Sequence, residues 1–154
     1  MFKFRKATED ERNEISRLQY GGRWVYSDAD MSDENFALFF GKMKALFGEP
    51  DEISESWESM YDYTIVAEDE KENNFLLSVY HGAGGSSIAT PTDYNNIDLA
   101  PYKQAEKELL ELIENTEPAD YEWESVYEDI PANVKYIVKD GKATIESEIS
   151  EFDM

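Results

Sequence analysis

A chain of 154 residues with 41% apolar and 14% aromatic content is long enough for one core, and aromatic rings burying ~150–250 Å² each supply what the aliphatics do not. It has no cysteine, which excludes disulfides and thiolate metal sites. Its formal charge of 14 − 35 = −21 repels nucleic acid and anionic lipid and attracts basic proteins. The opening MFKFRKATEDER lacks the apolar run of a signal peptide, and no stretch approaches ~18 apolar residues. The expectation is a single cytoplasmic domain over residues 1–154, frayed at its last few residues.

Residues 1–6 alternate, with Phe2 and Phe4 against Lys3 and Arg5, and predict a short edge strand. Thr8 with Glu11 three residues on has capping-box spacing for a short helix, ended by Gly21 and Gly22. Residues 23–26 predict a further short strand. The pattern Phe36, Phe39, Phe40, Met43, Leu46, Phe47 predicts a helix over 32–47, with Ser32 as cap, Asp33 and Glu34 in its first turn, and Gly48 and Pro50 ending it.

Alternation from Trp57 to Ala67 predicts a strand, 68–74 a polar turn, and 75–80 an antiparallel return. The stretch 73–89 has the densest apolar run, Phe75 to Tyr80, and is expected to hold the central strand of the sheet. A turn at HGAGGSS leads into a short strand over 86–90. Residues 98–115 predict a second principal helix, with Pro101 in its first turn, Tyr102, Ala105, Leu109, Leu112 and Ile113 inward, and Glu106, Glu108 and Glu111 in water. Residues 120–128 predict a strand with Tyr121, Trp123 and Tyr127 on one face and Glu122, Glu124 and Glu128 on the other. Residues 134–149 predict a hairpin turning at Asp140-Gly141, pairing Val138 with Ala143, Tyr136 with Ile145 and Lys135 with Glu146.

With few β-α-β crossovers of standard length, the predicted class is α+β: a mainly antiparallel curved sheet with two principal helices packed on it.

Charge is unevenly spread. Residues 49–72 and 104–130 each hold ten acids and one base, whereas residues 1–24 hold six bases against four acids. On a strand, carboxylates two residues apart lie about 6.8 Å from one another on one face. Glu122, Glu124 and Glu128, and likewise Glu58 and Asp62, are therefore candidates for a negative row facing a basic protein, with Trp123 as an aromatic anchor. A DNA-mimic anti-nuclease is a physical cousin of this reading.

The alternative centres on the only histidine. His81 with Gly84, Gly85 and Ser86 would make a small hydrolase or ligand-binding site, glycine amides cradling an oxyanion. No G-x-S-x-G elbow and no phosphate-loop lysine accompany it. Asp28-Ala29-Asp30 is only a fragment of a calcium loop, and one histidine builds no ordinary zinc centre. No metal and no cofactor is expected.

Leu46-Phe47-Gly48-Glu49-Pro50 closing an amphipathic helix, a tyrosine-rich strand, then Val79-Tyr80-His81-Gly82 resembles small bacterial immunity proteins of polymorphic toxin systems. The resemblance spans about residues 32–89. It implies an acidic, cytoplasmic α+β protein that neutralises a cognate toxin, for example one of nuclease type, by covering its active face. It carries no functional residues over to this chain.

Overall fold

The computed structural model describes residues 1–27, 33–53, 61–82, 85–92, 95–127 and 132–149. In chain order these form β1 (Lys3–Lys6), α1 (Glu9–Glu14), a 3-10 turn (Ile15–Arg17), β2 (Tyr20–Ser27), α2 (Asp33–Phe47), β3 (Glu52–Ile53), β4 (Tyr61–Glu68), β5 (Asn74–Gly82), β6 (Gly85–Pro91), α3 (Ala100–Glu114), β7 (Tyr121–Tyr127), β8 (Ala132–Lys139) and β9 (Lys142–Ile149). The class is α+β with antiparallel pairing throughout.

The strands divide into two sheets rather than one. The larger has the order β1-β4-β5-β6-β2, with β3 beside β4, and the smaller is β7-β8-β9. β5 is the middle strand of the larger sheet, as its apolar run predicts. β1 and β3 share the outer edge of β4, β1 along Ile65 to Glu68 and β3 along Tyr61 and Asp62.

Local signals act where the backbone demands them. The Thr8 side chain accepts the Glu11 amide at 3.3 Å while the Glu11 carboxylate accepts the Thr8 amide at 2.9 Å, completing the box. Asp140 and Gly141 take φ of 53° and 76°, the left-handed pair a two-residue hairpin turn needs. The β8–β9 register pairs Val138 with Ala143, Tyr136 with Ile145 and Lys135 with Glu146, as predicted.

Gly21 and Gly22 do not end the first helix. The chain is already extended at Leu18, and both glycines lie inside β2. A Cβ on Gly21 would stand 3.0 Å from Thr92 Cγ2, so this position serves a close approach of chains rather than a helix stop.

α2 is the centre of packing. Phe36 and Phe40 touch Tyr61 of the larger sheet at centroid distances of 5.9 and 4.6 Å, and Trp123 of the smaller at 5.5 and 5.3 Å. One apolar cluster therefore joins both sheets through the helix. Gly41 lets the α3–β7 connection lie against α2: its carbonyl accepts the Ala119 amide at 2.9 Å, and a Cβ there would meet Pro118 Cβ at 2.8 Å. α3 packs on β5 and β6. Its buried residues are Ala105, Glu106, Leu109 and Ile113, so Glu106 is not the water-facing residue expected, and Leu112, assigned inward, is exposed. No helix among the described residues is long and apolar enough to cross a membrane.

Candidate protein-binding surface

The predicted acidic row on β7 is present in part. Glu122 and Glu124 are both exposed on the outer face of the smaller sheet. They do not stand alone. Lys135 on β8 lies directly opposite both Glu124 and Glu146, and its ammonium is ion-paired with Glu122. The hydrogen bond and charge of Glu122, then Glu146 and Glu124, hold the Lys135 pKa above its ordinary value. This face is thus a cation ringed by carboxylates, and its field is weaker than the row alone would make.

Trp123 is not an anchor for a partner. It is 7% exposed and packs on Phe36, Phe40 and Tyr136, because Tyr121 and Trp123 of β7 face α2. Asp62 is not a surface acid either. It lies half-buried where β3 meets β4, opposite Glu52, and its Oδ1 has no hydrogen-bond partner among the described residues. Glu58, Gly84 and Glu128 lie outside the described residues, as do the side chains of His81 and Ser86. On the backbone, His81 pairs with Ser86 and Gly82 with Gly85, so HGAGGSS closes the β5–β6 hairpin.

Burial pushes the Asp62 pKa up, and the neighbouring Glu52 and Asp51 add to it, against Arg12. A carboxyl whose folded pKa is raised favours folding below its unfolded pKa and loses that contribution as pH rises through the folded pKa. Asp62→Asn, which keeps the shape and removes the charge, is expected to stabilise the protein at pH 7. The gain should shrink to nothing as pH falls below the carboxylate range. Urea midpoints of both proteins at several pH values check it, and an equal difference at every pH would refute the assignment.

The stronger acidic surface lies elsewhere, on α3 and the β4–β5 turn. Segments 49–72 and 104–130 are far apart in sequence, yet they meet at the chain's first two residues. The Met1 ammonium lies 3.7 Å from Glu70, and the Phe2 amide donates to Glu108 Oε1 at 3.0 Å. Aromatic packing sets this convergence: Phe2 meets Phe75 edge-on at 5.9 Å, and Phe75 meets Tyr102 at 5.2 Å, drawing β1 and α3 onto β5. From there exposed carboxylates continue through Glu111 and Glu114 to Glu117 and Asp120. α3, with 15 residues, runs about 22 Å at 1.5 Å per residue. Leu112, 37% exposed, places an apolar contact on the same helix.

Three of the six N-terminal cations, Arg5, Lys6 and Arg12, are engaged by acids away from this ridge. Arg5 forms a two-bonded pair with Glu11 at 2.7 and 2.8 Å, and holds the Glu11 pKa down at about 2. Lys6 and Arg12 lie 3.4 and 3.7 Å from Asp51, and Lys6 also donates to the Glu49 carbonyl at 2.6 Å. Sequence reading missed the ridge because helix periodicity shows only that the glutamates of α3 face outward. It says nothing of which distant acids adjoin them. Among the described residues, no group of three His, Asp or Glu side chains is arranged to hold a metal ion.

No protein-family model, curated protein or solved structure matches this chain.

Proposed function

We propose that this chain is a non-enzymatic binding protein whose acidic ridge, built from the β4–β5 turn and α3, covers the basic face of another protein. The observation that carries this reading is the convergence of the two acidic segments at Met1 and Phe2, while Arg5, Lys6 and Arg12 are engaged elsewhere. Acids on these elements outnumber Lys71, Lys103 and Lys107, and a net negative field over a surface longer than the ~8 Å Debye length steers a partner of opposite sign and raises its association rate more than its final affinity. In the biological reading, the chain is an immunity-type inhibitor of a basic toxin, for instance a nuclease whose cationic substrate groove the ridge would cover. The compartment consistent with that role is the bacterial cytoplasm.

The test is capture of a basic protein from the native cells by the intact chain, followed by association kinetics with the purified partner at several salt concentrations. Reversing Glu108, Glu111 and Glu114 to lysine should slow association at least tenfold and flatten its salt dependence. The captured protein, expressed alone, should arrest bacterial growth, and co-expression of this chain should restore it. Association unchanged by the triple reversal would refute the ridge, and a harmless partner would refute the inhibitor role.

A further inference from the structure

Among the described residues, β9 pairs only with β8 and so forms an open edge of the smaller sheet. The phase of its backbone follows from the hairpin. Lys139 and Lys142 flank the two-residue turn and exchange both backbone bonds, and every second residue along the ladder repeats that arrangement. Lys142, Thr144 and Glu146 therefore bond to β8, while the amides and carbonyls of Ala143 and Ile145 point out of the sheet. Neither residue forms a hydrogen bond beyond that edge among the described residues. No proline interrupts β9 and its register runs without a bulge, two devices that ordinarily close an edge.

Two further features mark this edge as incomplete. The first is burial. Val138 and Tyr136 on β8 are 1% and 3% exposed, yet their partners across the hairpin, Ala143 and Ile145, are only half-buried. The core face thus runs out to an uncovered apolar rim. The second is charge. Lys142 stands opposite Lys139, a like-charge pair that costs stability, and it forms no ion pair among the described residues.

These features select the occupant. Let two antiparallel copies of β9 meet with Thr144 opposite Thr144. Ala143 then faces Ile145 on the inner side, and both such pairs exchange backbone bonds. On the outer side Lys142 faces Glu146, at the closer spacing of a non-hydrogen-bonded pair. The strand is complementary to itself. β7 and β1, also at sheet edges, are not: β7 centred on Glu122, Trp123 or Glu124 sets acid against acid, and β1 centred on Phe4 sets Lys3 against Arg5.

We infer that the edge of β9 receives the same edge of a second copy, joining the two smaller sheets into one antiparallel sheet about a two-fold axis at Thr144. The contact is isologous, so the Lys142–Glu146 pair occurs twice. It lies apart from the acidic ridge and needs no other protein. The net charge of −21 on each copy opposes approach, which keeps the association weak.

The chain has no cysteine, so single cysteines report directly on this contact. Sedimentation of the intact chain over roughly 5–500 µM, in about 0.15 M salt to screen the net charge, is expected to show monomers converting to dimers. Thr144→Cys should form an interchain disulfide under mild oxidation, because residues facing each other in a non-hydrogen-bonded pair lie within disulfide reach. Glu122→Cys, on the far strand of the sheet, should not. Lys142→Glu should weaken dimerisation about tenfold and raise the urea midpoint of the monomer, since it also removes the like-charge pair with Lys139. Those opposite movements separate a lost contact from a lost fold. Monomers throughout the range, dimers indifferent to Lys142→Glu, or crosslinking no better at position 144 than at 122 would each overturn the inference.

Discussion

Phe40→Ala is expected to lower the unfolding free energy by about 3–5 kcal/mol, the range for truncating a buried aromatic residue. Phe40 is 1% exposed and belongs to no single layer. Its ring meets Tyr61 of the larger sheet at 4.6 Å, Trp123 at 5.3 Å and Tyr121 at 5.1 Å on the smaller, and Lys44 stands over it at 5.2 Å. The cavity left behind would be walled by both sheets and by α2, none of which can move inward without disturbing another. Relaxation is therefore limited and the cost belongs at the upper end. Urea denaturation followed by tryptophan fluorescence measures it, because Trp123 lies in the same cluster. A loss under about 1 kcal/mol would mean that the two sheets do not share this core.

Asp51→Ala is expected to cost about 3 kcal/mol, the lower part of the range for breaking a buried pair by removing one partner. The Asp51 side chain is only 9% exposed and does three things at once. Its Oδ2 accepts the Thr64 amide at 2.7 Å, and its Oδ1 holds Lys6 at 3.4 Å and Arg12 at 3.7 Å. Thr64 is itself buried, so its amide loses its acceptor where water cannot readily replace it. Asp51→Asn keeps an oxygen for that amide and loses only the charge, and should recover roughly half of the loss. Equal destabilisation by the two variants would show that the ion pairs, not the amide bond, carry the effect. The comparison also bears on the proposed function, because this acid holds two of the six N-terminal cations.

Local features were legible wherever neighbouring residues alone decide the backbone. Asp140-Gly141 demands left-handed conformations that place both flanking strands in register, so the β8–β9 pairs follow without reference to anything else. The Thr8–Glu11 box and the phenylalanine stripe of α2 are of the same kind, each written within a few residues of where it acts. The misreadings share the opposite character. Trp123 looks like an anchor between two glutamates until α2 is placed beneath β7. Gly21 and Gly22 look like a helix stop until Thr92 is seen against them. Asp62 continues the alternation of β4, yet β3 folds over that edge and takes it out of water.

By itself, then, the amino-acid order determined the class, the middle position of β5, the two principal helices and the excess of negative charge, because periodicity, turn chemistry and composition are properties of adjacent residues. Only the tertiary structure decided that the strands form two sheets joined through Phe36 and Phe40, that Lys135 interrupts the acids of β7, and that acids of α3 and of the β4–β5 turn converge on the first two residues. The physical reason is that a carboxylate's influence depends on what stands within a Debye length of it in space, and residues 70 and 108 become neighbours only when aromatic packing draws β1 and α3 onto the same strand.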